Sequence, residues 1–158
     1  MNMAIWQCSF LLVPSTELGR NAGALLERIE RGDLWEHAQP DEAIERAASD
    51  VLGRSPSWSP EVDIWGHDDE TCLTMVREGG RVVEVLLRVD LRSVQRANLV
   101  RLLDGLQQAR VLLIDEARQL HEPTLPAVLH ALKTSRAWRY VQDPRAFIAS
   151  LSDPEGRD

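Results

Sequence analysis

A chain of 158 residues, 44% hydrophobic and 27% charged, has the size of one domain around one core and a composition unlike that of disordered proteins. Its net charge of −7 is uneven: residues 1–70 hold 5 Arg against 14 Asp and Glu, a balance of −9, while residues 71–158 reach +2. An acidic first half disfavours nucleic acid, which rewards basic surfaces, and suits a basic protein partner; no apolar run approaches the roughly 20 residues needed to span a bilayer.

The N-terminus, "MNMAIWQCSFLLVP", is apolar but has neither a basic leading region nor a small-residue cleavage site. It reads as a strand over Met3–Val13 rather than a signal peptide, and the cytoplasm is the expected compartment. Apolar residues on both faces place this strand inside a sheet. Cys8 and Cys72 then read as buried reduced thiols rather than a disulfide. Of the 18 basic residues only Lys133 is lysine, the codon signature of a GC-rich bacterial genome.

A short helix is predicted from about Asn21, closed by Gly32. "DLWEHAQP" is a loop carrying Trp35 and His37. A firmer helix follows, with Asp41 as its cap, acidic Glu42 and Glu45 in its first turn, and an apolar face of Ala43, Ile44, Ala47, Ala48, Val51 and Leu52. The Ser/Pro-rich "RSPSWSP" is a connection within the domain, because 54 preceding residues make a poor independent unit.

A three-strand meander comes next: Val62–Trp65, Thr71–Arg77 and Val82–Leu91. Gly79-Gly80 supply the left-handed conformations of a tight hairpin turn. In the third strand Val83, Val85, Leu87, Val89 and Leu91 alternate with Glu84, Arg88 and Asp90, which predicts one buried and one wet face. Ser93 is the expected cap of a helix running to about Ala109, with Leu99, Leu102, Leu103 and Leu106 buried. "VLLI", Val111–Ile114, is an interior strand, and "DEARQLHEP" is a turn with a short edge strand. Thr124 opens another helix, "WRYV" reads as a last short strand, and Asp143-Pro144 opens a final helix through Leu151. The expected fold is α+β: residues 1–152 form a single domain with a mainly antiparallel sheet packed by helices, followed by a polar tail over 153–158.

The densest cluster of polar chemistry lies in "DIWGHDDETC", where His67, Asp68, Asp69 and Glu70 are consecutive. Metal ligands must converge, but neighbours on an extended strand point to opposite faces, and the alternating spacing of a calcium loop is missing. Gly66 before Asp68-Asp69 matches turn chemistry, so the segment is expected to be a hairpin tip that could touch a partner. His121-Glu122 is followed at once by Pro123 and lacks zinc-protease spacing. No nucleophile elbow and no phosphate-binding glycine loop occurs. Neither cysteine has a cationic neighbour in sequence to activate it. No cofactor, metal or catalytic set is therefore assigned. Trp6 and Trp65 are expected in the core; Trp35 and Trp58, in loops, either fold over the core or serve as binding anchors.

Three stretches, "SWSPEVDIWGHDDE" (57–70), "VLLRVDLR" (85–92) and "SRAWRYVQDP" (135–144), together resemble a group of small, uncharacterised bacterial cytosolic proteins of similar length. The overall pattern is also similar to the small α+β immunity proteins that neutralise toxins passed between bacteria. That resemblance implies a protein-binding role and transfers no functional residue. Two readings follow. In the first, a non-enzymatic module, of which an immunity protein is one form, binds a partner such as a toxin through Trp35, Trp58, His67, Asp68, Asp69 and Glu70. In the second, a small enzyme or ligand-binding domain assembles a site from His67, its carboxylates, His37 and His121. A homodimeric accessory protein is a further alternative.

Overall fold

A computed structural model describes residues 3–17 and 22–152. These form a single α+β domain: a seven-stranded antiparallel sheet with six helices. The strands are β1 (Gln7–Pro14), β2 (Arg54–Ser55), β3 (Val62–Gly66), β4 (Cys72–Glu78), β5 (Arg81–Asp90), β6 (Val111–Ile114) and β7 (Leu120–His121). Their order across the sheet is β2-β3-β4-β5-β1-β6-β7. The helices are α1 (Ala22–Arg31), α2 (Glu42–Val51), α3 (Arg96–Gln108), α4 (Leu125–Lys133), α5 (Arg136–Gln142) and α6 (Pro144–Ser152). Residues 153–158, read from sequence as a polar tail, lie outside the described residues, as does the predicted helix start at Asn21. Among the described residues no helix is long and apolar enough to cross a membrane.

The first strand is interior, between β5 and β6, as its two apolar faces require. Cross-strand pairing puts Phe10 opposite Leu87, Leu87 opposite Leu73 and Leu73 opposite Trp65, so these four share one face. They belong to the main core, which also contains the apolar faces of α2 and α3. The Trp65 indole N–H donates to Ser49 Oγ on α2 at 3.0 Å, which satisfies the one polar atom of this buried ring. Asp41 caps α2 by accepting from the Ala43 amide, and Thr124 caps α4 by accepting from Ala127.

Helices α2 and α3 meet at Gly105, where an added Cβ would stand 2.3 Å from Ala47 Cβ. Neither atom is the end of a flexible side chain, so the helices themselves must separate. Gly105→Ala is therefore expected to lower stability by a net of about 1–2 kcal/mol, because overpacking outweighs the roughly 1 kcal/mol gained in helix propensity. Urea unfolding checks this. Ala47→Gly in the same chain should recover part of the loss, and an unchanged midpoint for Gly105→Ala would contradict the close approach.

Six predicted features differ from the structure. The first strand starts at Gln7 rather than Met3, because the Gln7 amide closes a turn on the Ala4 carbonyl, and Pro14 still pairs with Val111. Trp6, expected in the core, is half-buried outside it, beneath Arg92. "WRYV" is helical, inside α5, because Ser135 caps that helix by accepting from the Trp138 amide and starts a new turn directly after α4. Ser93 does not cap α3; the cap position is Gln95, which makes no side-chain capping bond, and the Ser93 hydroxyl instead donates to Asp90. Part of the connection "RSPSWSP" pairs as the edge strand β2. The alternation of β5 is broken, too. Arg77 pairs with Val82 and Val76 with Glu84, so Val83 is the extra residue of a bulge and Val82 is buried in its place. Beyond the bulge the face expected to be wet is covered: Arg88 is 6% exposed and Asp90 1%.

Candidate functional site

The turn His67–Glu70 joins β3 to β4, and all four of its residues are exposed. Gly66, with φ of +80°, makes the entry, and the Glu70 amide donates to the His67 carbonyl at 3.0 Å. Its backbone is fixed from outside as well. Gln7 Nε2 donates to the carbonyls of Asp68 (3.0 Å) and Glu70 (2.6 Å). Trp6 Nε1 donates to the Asp69 carbonyl at 2.8 Å, and Arg92 Nη2 donates to the same oxygen at 3.0 Å. Three consecutive carbonyls are thus held by Gln7 of β1 and by Trp6 and Arg92, which flank the Gln7–Asp90 end of the β1–β5 pairing, while the three side-chain carboxylates stay exposed.

The donors are themselves anchored. Gln7 is 99% buried and its amide oxygen accepts from Ala4. Arg92 lies over the Trp6 ring, 3.9 Å from the centroid, a cation–π contact. Both carboxylate oxygens of Asp90 accept from Arg92, at 3.0 Å each. Asp90 also accepts from the Arg92 amide, and its own amide donates to Thr71 Oγ1. Burial pushes the Asp90 carboxyl up, but the hydrogen bonds and charge of Arg92 outweigh it and hold the carboxyl below its usual range.

Beside the turn is a cleft of about 250 Å³ between the end of α2, the turn and the start of α3. Leu52, Val89, Leu99 and Leu102 give it an apolar floor, and His67 and Glu70 stand on its wall. Val94, 37% exposed, is at its mouth.

The other sequence candidates are not gathered here. Trp35 is 3% exposed and packs in the core, with its indole nitrogen buried and without a hydrogen-bond partner among the described residues. Trp58 is 66% exposed, but its loop enters β3 at Val62 while the turn leaves at Gly66, about 13 Å further along the strand at strand rise. His121 lies on β7, five strands from β3, so roughly 24 Å of sheet separates it from His67. It pairs instead with Asp115 at 2.6 Å. His37 is in the loop whose Glu36 carbonyl accepts from Arg81, at the end of β5 opposite the turn. The three histidines therefore do not assemble into one site. Among the described residues no group of three His, Cys, Asp or Glu side chains could hold a metal ion.

Neither thiol is poised for nucleophilic chemistry. Burial, with a smaller push from Glu116, raises Cys8 to about 12. Burial raises Cys72 to about 11 against the opposing charge of Arg88.

Sequence reasoning missed Trp6, Gln7, Asp90 and Arg92 as the support of the turn. A polar Gln7 and Asp90 interrupting apolar strands were the available signal, since a buried polar residue is more informative than a buried apolar one. Against known proteins, the chain matches no family model, no curated protein and no solved structure.

Proposed function

We propose that this protein is a non-enzymatic binding module that presents its acidic β3–β4 turn to a basic protein partner, the immunity-protein role being one form of that reading. The observation that carries it is the anchoring of the carbonyls of Asp68, Asp69 and Glu70 by Gln7, Trp6 and Arg92. A turn held this way has little backbone entropy left to lose on association, and preorganisation of that kind favours affinity. Its clustered negative charge steers a cationic partner and rejects like-charged ones.

The test is affinity capture from the native host with the wild type and with Asp68→Asn/Asp69→Asn/Glu70→Gln in parallel. A stoichiometric basic partner is expected on the wild type, bound more weakly as salt rises and at least tenfold more weakly by the neutralised turn. No stoichiometric partner under several growth conditions, or one held equally by both forms, overturns the proposal. For the immunity form, the partner is a toxin whose activity is blocked on binding.

A further inference from the structure

The cleft beside the turn gives the partner a second chemical requirement. We propose that it receives one large apolar side chain of the partner, presented between cationic residues that meet Asp68, Asp69 and Glu70. This rests on reading the turn as a partner surface.

Size is the first reason. At about 250 Å³ the cleft falls below the roughly 300–1,000 Å³ of small-molecule sites, and it is open to solvent at Val94. It has room for one large side chain. Chemistry is the second. Val89, Leu99 and Leu102 close the floor and are themselves almost fully buried, so the apolar contact on offer comes chiefly from Leu52 and Val94, while the wall at Glu70 continues into the charged turn. An apolar floor with polar walls at Thr71, Gln95 and Asn98 suits an aromatic anchor that carries a polar handle, desolvated at its centre while the charged rim sets orientation. Charge is the third. A second copy of this chain would bring another net charge of −7 to an already acidic rim, so the occupant is a cationic partner rather than a homodimer mate.

The probe is a dye-labelled peptide, acetyl-Gly-Arg-Arg-Trp-Arg-Arg-Gly-amide, with two controls: the same peptide with Ser for Trp, and with Glu for each Arg. Binding is followed by anisotropy and by amide chemical shifts in the intact chain. The arginine–tryptophan peptide is expected to shift the amides of Gly66, Thr71, Asn98 and Leu99. Exchanging Trp for Ser should weaken it at least tenfold, and the glutamate peptide should not bind. Val94→Arg, which fills the mouth from a position outside any helix or strand, should weaken the first peptide at least tenfold and leave the melting temperature within about 2 °C.

Binding that depends on the carboxylates of the turn but ignores both the Trp exchange and Val94→Arg overturns the cleft as a receptor while leaving the turn as a partner surface. Indifference to the turn and to the cleft alike overturns both. Sedimentation showing a dimer that Val94→Arg disperses overturns the choice of occupant in favour of a second copy.

Discussion

Gly66→Ala is expected to cost about 3–4 kcal/mol and to loosen the acidic turn. Two independent penalties add. At φ of +80° an L-residue strains the backbone, by roughly 1–2 kcal/mol. The new Cβ would also stand 2.4 Å from the Thr71 carbonyl oxygen, a backbone atom that cannot swing aside. To relieve the clash, the last β3–β4 pair, Gly66 with Cys72, must open. In a chain of this length each kcal/mol moves the melting temperature by about 2–4 °C, so a fall on the order of 10 °C is expected. Gly80→Ala is the control. It has a similar φ of +79° but nothing within 4 Å of an added Cβ, so it incurs the strain alone. Circular dichroism melts of the two variants separate strain from clash; equal shifts would show that the approach to Thr71 is not tight.

Asp90→Asn is expected to cost about 2–3 kcal/mol at neutral pH, the worth of hydrogen bonds made to a charged group in a covered site. The substitution keeps the shape and removes the charge that holds Arg92, which in turn holds the Asp69 carbonyl. The pH dependence follows from the lowered carboxyl of Asp90. A carboxyl that ionises more readily folded than unfolded contributes stability above the unfolded value, near 3.9, and loses it as pH falls through the lower folded value. Urea unfolding from pH 7 to 3 should show the full difference between wild type and Asp90→Asn down to about pH 5, then convergence. A difference that stays constant to pH 3 would mean that the charge of Asp90 is not what stabilises the fold.

These two residues also mark where sequence and structure part. Caps and turns with local chemistry were legible: Asp41, Thr124 and Gly79-Gly80 act through neighbours a few positions away. The leucines of α3 were legible because helical spacing repeats. The bulge at Val83 was not, since one extra residue leaves the alternation of β5 looking intact while changing which valine is buried. "WRYV" has strand-forming composition, yet a cap at Ser135 and the end of α4 decide it as helix. Two residues as short as Arg54-Ser55 carry no periodic signal at all. The turn itself was visible in "GHDDE", but its support was not. Carbonyl oxygens are the same in every residue, so nothing in the letters Asp68, Asp69 and Glu70 says that their backbone will be gripped by residues some sixty positions earlier.

The two rims of the sheet bear on how this molecule can meet others. β2 and β7 are each two residues long, and each is followed within two positions by a proline, Pro56 or Pro123. Beyond β2, the free margin of β3 is already occupied, because the Val62 amide is bound to Ser59. Such margins offer too few free backbone groups to template a foreign strand, and proline withholds the donor that the next rung would need. Edges this short disfavour ribbon-like stacking of copies and leave little for a visitor that relies on extending the sheet.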